Sequence, residues 1–196
     1  MKHFAEHGFE KATIRGIAET AGVSSGLIRH HFGSKEALRD ACDEHVLGIA
    51  RRLNAETWAA FEAGDLGRAS ATRAPIGQFN HYIARSLIDG GSVQLFDELV
   101  RMGEPWIAIS DAQRGGEPDT PARVRAAVVA AWGLALPIMS AHLSRALGVD
   151  LSTPEGDALL ASALLELYSQ PLMSPEDAAK ARAGLKGLRH DRRDQH

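Results

Sequence analysis

Apolar residues recur at helical spacing along nearly the whole chain, and no long alternation of Val, Ile and Thr interrupts them. That period allows one fold class, all-α. Thr13 reads as the N-cap of a helix whose Ile14, Ile17, Ala18 and Ala21 share one face, and Gly22 ends it. Phe4, with Gly8 as a stop, marks an earlier helix over Met1–His7. Val23 follows, and Ser24 or Ser25 caps a third helix, about Ser25–His31, with Ile28 and Phe32 pointing inward. Ser34 caps a fourth helix running to about Ala63.

Past a small-residue loop, Pro75–Asp89 reads as a helix broken by Gly90-Gly91. Ser92 caps the next, which Gly103-Glu104-Pro105 bends before it continues to Gln113. Arg114–Pro121 is a loop. The longest apolar helix spans about 122–147, with Gly133 and Pro137 inside it. Thr153 caps the next, Pro154–Ser169, and Ser174-Pro175-Glu176-Asp177 starts a last short helix before a fraying tail from Arg189.

Several function classes drop out. The single cysteine, Cys42, permits neither an intrachain disulfide nor a cysteine zinc cage. No leader pattern opens the chain, and its 14-residue apolar run, Ala126–Met139, is shorter than the roughly 20 residues of a membrane span. A cytoplasmic protein without a membrane partner is expected. No HExxH pattern, nucleophile elbow or phosphate-binding glycine loop is present, so no enzyme, cofactor or metal site is expected.

Two short helices joined through Gly22-Val23-Ser24 form a helix-turn-helix pattern, which can set its second helix in the DNA major groove. That helix offers Ser25, Leu27, Arg29 and His30 to the outside. Arg29 suits a guanine edge, and Ser25 can donate or accept. Lys35, beside the N-terminus of the fourth helix, suits a phosphate. The net charge of −3 hides a division: residues 1–53 carry eight Lys or Arg against seven Asp or Glu, and the remainder fourteen against eighteen. An almost neutral head on an acidic body discourages non-specific DNA contact by the body.

The stretch FAEHGFEKATIRGIAETAGVSSGLIRHHFGSKEALRDA resembles the DNA-binding domain of the TetR/AcrR family of bacterial transcriptional regulators. Phe4, Gly8, Thr13, Ile17, Ala18, Ala21, Gly22, Val23, Gly26, Ile28, His31, Phe32, Lys35 and Leu38 carry it. The resemblance implies a DNA-binding head over residues 1–45 and an effector-binding and dimerisation domain over 46–196. It implies that Thr13 contacts a phosphate and Arg15 a base or phosphate. Ser24, Ser25, Gly26, Leu27 and Arg29 would form the recognition face, with Lys35 on a phosphate. His30 and His31 would meet the backbone, unless His31 bonds a nearby carbonyl. Arg29 stands where the family usually has an aromatic, so an altered sequence preference is expected. Met1–His7 is shorter than the family's first helix, which implies a start upstream of Met1 or, alternatively, a helical module that binds a small molecule or protein but has lost DNA.

HLSRALGVDLSTPEGDALLASALLELYSQPL looks like the C-terminal part of actinobacterial-type members. An apolar or aromatic small-molecule effector is expected against Phe79, Tyr82, Phe96, Leu99, Met102, Trp106, Trp132 and Met139. His81, Arg101 and His142 are candidate polar anchors. The same residue types at this spacing also build plain core. Family resemblance makes the helices at about 122–147 and 154–169 a homodimer interface, which would present two heads to a palindromic operator.

Overall fold

The computed structural model describes residues 1–65, 79–91, 93–113, 118–170 and 172–193. Among them are ten helices and no strand. The start of the expected helix at Pro75, the Ser92 cap and residues 114–117 of the expected loop lie outside the described residues. The chain divides into two compact units, Met1–Leu143 and Ser144–His196.

Local capping decides where the first helices begin. α1 spans Lys2–Lys11 with a kink at Gly8, whose φ of 75° and ψ of 168° leave the helical region. α2 (Ile14–Ala21) starts where the Thr13 hydroxyl oxygen accepts the Gly16 N–H at 3.1 Å. It stops at Gly22 in the left-handed conformation. α3 (Ser25–Phe32) starts where Ser24 Oγ accepts the Leu27 N–H, also at 3.1 Å. α4 (Lys35–Glu62) starts where Ser34 Oγ accepts the Ala37 N–H at 3.0 Å. Its backbone hydrogen bonds and those first-turn groups hold the Glu36 carboxyl below the usual range. At 28 residues α4 is about 42 Å long. It passes unbroken through residues 45 and 46, where the head was expected to end.

Phe4, Ala18, Ile28 and Leu38 fill the core between α1 and α4, continuous with Val46, Leu47, Tyr82, Ile83 and Leu95. Phe32 departs from expectation. It shares a face with Ile28 but lies one turn further, where Gly33 ends the helix, and is 40% exposed.

α5 (Asn80–Ile88) and α6 (Val93–Gln113) pack against α1 and α4. Arg51 on α4 donates to Glu98 on α6 at 2.8 Å and to Glu44 at 2.7 Å. α6 continues through Pro105 to Gln113 as one helix, as the expected continuation past Gly103-Glu104-Pro105 requires. Its Gly103 faces α7 (Ala122–Ile138) beside Ala126, where a Cβ would make ordinary contact at 3.5 Å. Arg125 on α7 grips both carboxylate oxygens of Asp111 on α6.

The expected long helix over 122–147 is two helices. α7 ends at Ile138, one residue after Pro137, and α8 (Ser140–Leu147) follows. Proline supplies no N–H to the ladder, which weakens the helix at that point.

In the second unit, Thr153 Oγ1 accepts the Gly156 N–H at 3.1 Å and starts α9 (Pro154–Ser169) with proline in its first turn. Ser174 Oγ accepts the Asp177 N–H at 3.1 Å and donates to that residue's carboxylate at 2.7 Å. This double bond starts α10 (Pro175–Arg193), which reaches beyond the short helix expected and includes residues 189–193. Among the described residues no single helix is long and apolar enough to cross a membrane.

Candidate nucleic-acid interface

Ile28 is the buried residue that seats α3. Helical geometry then turns its neighbours outward: Gly26, Leu27, Arg29, His30 and His31 are exposed, and Ser25 is half-buried. Leu27 is 44% exposed, an apolar side chain that burial in the head does not explain. A leucine there suits the methyl group of a thymine, and the Arg29 fork suits guanine. The two outer faces of this helix therefore differ in chemistry. His30 and His31 stand edge to face at 5.5 Å.

The capping hydroxyls accept hydrogen bonds through an oxygen lone pair, which leaves each O–H proton available to a second acceptor. Thr13 and Ser24 can thus cap a helix and donate to a phosphate with the same atom. Arg15 is almost wholly exposed and pairs with Glu19 one turn along at 3.0 Å. A pair so exposed contributes little and leaves the guanidinium open to exchange.

Lys35 sits differently from the expectation. Its ammonium donates inward to the carbonyls of Phe9 at 2.9 Å, Ala12 at 3.2 Å and Glu10 at 3.4 Å. It also stands 4.4 Å from the centre of the Phe9 ring. The reason is the end of α1, whose last carbonyls have no intrahelical N–H partner. All three ammonium protons are committed there, so Lys35 caps α1 instead of facing outward. The spacing drew attention to the start of α4, and nothing local signals a competing set of carbonyls about 25 residues earlier.

The candidate effector residues are spread out. Tyr82 is buried, and its phenol donates to Asp43 at 2.5 Å. Burial first, then Asp43, pushes the phenol well above its usual range. Phe79 meets His45 edge to face at 5.8 Å. Phe96, Leu99, Met102 and Trp106 are half-buried along α6. Trp106 joins Trp58 and Phe61 of α4 at 4.8 and 5.5 Å, and its N–H donates to Asn54 at 2.9 Å. These α4 residues are an addition: their helical spacing was visible, but their pairing with Trp106 spans some fifty residues. His81, Arg101, Trp132, Met139 and His142 are exposed, Trp132 by 61%. The structure brings together the Trp106 group but not the whole candidate set. Among the described His, Cys, Asp and Glu side chains no group of three is placed to hold a metal ion.

A cleft of about 360 Å³ opens instead beside the head, lined by Phe9, Glu10, Arg39, Asp43, Asp89 and Gly91 among others. Sequence reasoning did not single out Asp89 or Arg39, because both act on backbone and ring groups far away in the chain.

Comparison with known proteins matches the family described as bacterial regulatory proteins, tetR family, over residues 1–42. A transcriptional regulatory protein of Mycobacterium tuberculosis, RaaS, is 34% identical over 140 residues, covering 68% of this chain and 63% of that one. The chain therefore spans less than two thirds of that relative's length. The transcriptional repressor AcnR of Corynebacterium efficiens is 60% identical over 35 residues, 18% of this chain and 19% of its own. The regulator BetI of Burkholderia thailandensis is 29% identical over 89 residues, 45% and 40% of the two chains. All three carry the name of transcriptional regulator or repressor. With a capped helix-turn-helix, an outward α3 and these matches, the chain belongs to the tetR family of bacterial regulatory proteins.

Proposed function

We propose that this protein is a ligand-responsive, DNA-binding transcriptional regulator of the bacterial cytoplasm, acting as a repressor. The observation that carries the reading is the outward face of α3, where Leu27 and Arg29 stand free of the core that Ile28 anchors. Thr13, Arg15, Ser24, Ser25, Gly26, His30 and His31 complete the surface offered to a duplex. Contacts from Thr13, Arg15 and the histidines to phosphate set the register, and α3 reads base edges.

A homodimer would supply two such heads to a palindromic operator. Support comes from exposed apolar side chains on both helices expected at the interface: Val124, Val128 and Trp132 on α7, and Leu159, Leu165 and Leu167 on α9. The effector is a small apolar or aromatic molecule held near the Trp106 group. Its binding shifts α4, which runs from the head to that group, and so opposes DNA binding through reciprocal coupling.

A gel-shift with the full chain and the duplex upstream of its own gene tests this. Retardation at low salt that weakens steeply as salt rises is expected. No retardation at low salt, with or without added cell extract, would sink the reading.

A further inference from the structure

α1 packs more extensively on α5 than on α2, although sequence places it with the helix-turn-helix. The contact centres on backbone. At the Gly8 kink the N–H of Phe9 is released from α1 and donates to Oδ2 of Asp89 at 3.0 Å, across 80 residues. Arg85, one turn earlier on α5, holds the same carboxylate at 3.2 Å. The fit is close enough that a Cβ on Gly8 would stand 2.5 Å from Arg85 Nη2 and 2.9 Å from Asp89 Oδ2. Gly8 is thus required by its backbone angles, and the side chains of Arg85 and Asp89 close over it.

The other sides of Phe9 are held by α4. Lys35 takes its carbonyl at 2.9 Å, and the Arg39 guanidinium lies 4.2 Å from its ring centre. One residue is therefore gripped at its N–H by α5 and at its carbonyl and ring by α4. The Asp89 side chain is 22% exposed and borders the cleft beside the head, so its charge-assisted bonds hold the kink at a partly solvated site.

We propose that Asp89 is a positioning residue for DNA recognition, fixing the reading head to the body through the Gly8–Phe9 kink. The inference rests on the DNA-binding reading above and adds a second route to it. Movement of α5 reaches the head directly through α1, in parallel with α4. The end of α5 then helps set the angle at which α3 is presented.

The test compares the full-length wild type with Asp89→Ala and Asp89→Asn. Hydrogen exchange reads the latch, and gel-shift on the upstream duplex reads the head. Loss of a charge-assisted acceptor should speed Phe9 amide exchange by about tenfold or more in Asp89→Ala, and weaken duplex binding about tenfold. Asparagine keeps an acceptor oxygen, so Asp89→Asn should recover most of both. A urea melt identifies any variant that simply fails to fold; Asp89→Asn then decides alone, by near-wild-type exchange and binding against a tenfold loss. Unchanged Phe9 exchange in a folded Asp89→Ala would overturn the latch. Faster exchange with unchanged duplex affinity, or no recovery in Asp89→Asn, would overturn the positioning role. If the wild type itself binds no duplex, the DNA reading and the positioning role fall together. The exchange result then still reports separately whether the latch exists.

Discussion

The head and α9 carry apolar side chains at the same helical period and treat them in opposite ways. In the head, Phe4, Ala18 and Ile28 are buried against each other, and the large apolar side chains left exposed are Val23, Leu27 and Phe32. On α9, Gly156 is the buried residue, while Leu159, Leu165, Leu167 and Tyr168 stay exposed. An amphipathic stripe satisfied within the chain needs nothing further. A helix apolar over most of its circumference, with exposed leucines, presents an apolar face among the described residues. On the function proposed above, the first arrangement suits reading and the second association.

The sharpest way to break that contrast is a charge on α9. Leu165 is 62% exposed, so Leu165→Glu should change the stability of the single chain by less than about 0.5 kcal/mol. In a twofold interface the change occurs twice, and dimerisation should weaken by about 4 kcal/mol from lost apolar burial and added desolvation. Sedimentation across a concentration series would show a monomer where the wild type is a dimer. An unchanged association state would return α9 to a bare solvent face.

The reverse holds in the head. Phe4→Ala should cost about 3 kcal/mol of stability, read by urea denaturation, because it leaves a cavity between α1 and the rest of the core. Its effect on association should be small. If both variants instead shifted both measurements alike, the two regions would be one cooperative body and the contrast would fail.

The halves also differ in how much their sequences disclosed. Thr13, Ser24, Ser34, Thr153 and Ser174 each mark a helix start, because a cap is decided within three residues. The stop at Gly22 and the outward set on α3 were legible for the same reason. Pro137 announced a weak point but not the division into α7 and α8. What escaped was long in sequence and polar in chemistry. Lys35 turning inward to α1, Asp89 reaching Phe9 and Trp106 reaching Asn54 join groups 23 to 80 residues apart, which no periodicity encodes. The effector site stayed diffuse because half-buried aromatic and methionine side chains look alike in core and in lining.

Tyr82 tests the junction between the two kinds of information. Its buried phenol donates to Asp43, so Tyr82→Phe removes that charge-assisted bond and should cost about 1.5 kcal/mol. The wild type should also lose stability as pH climbs past the ordinary phenol range. The unfolded phenol ionises there while the folded one, held higher, stays protonated. Tyr82→Phe should flatten that alkaline decline in pH-dependent melts. An unaltered decline would mean that other groups govern it.

The smallest effect separates capping from reading at a single atom. Ser24 Oγ accepts the Leu27 N–H, and among the described residues no group accepts its own proton. Glycine is nearly as good an N-cap as serine, so Ser24→Gly should cost only a few tenths of a kcal/mol in a thermal melt. Ser24→Ala, which blocks the cap without restoring backbone freedom, should cost about 1 kcal/mol. On a duplex the ranking should change. Both variants lose the donated proton, so both should weaken binding by a similar factor of about five, that of one neutral hydrogen bond. Stability that separates the two variants while DNA affinity does not would assign the hydroxyl two roles. Affinity that simply follows stability would leave Ser24 a cap alone, and the reading surface would then begin at Ser25.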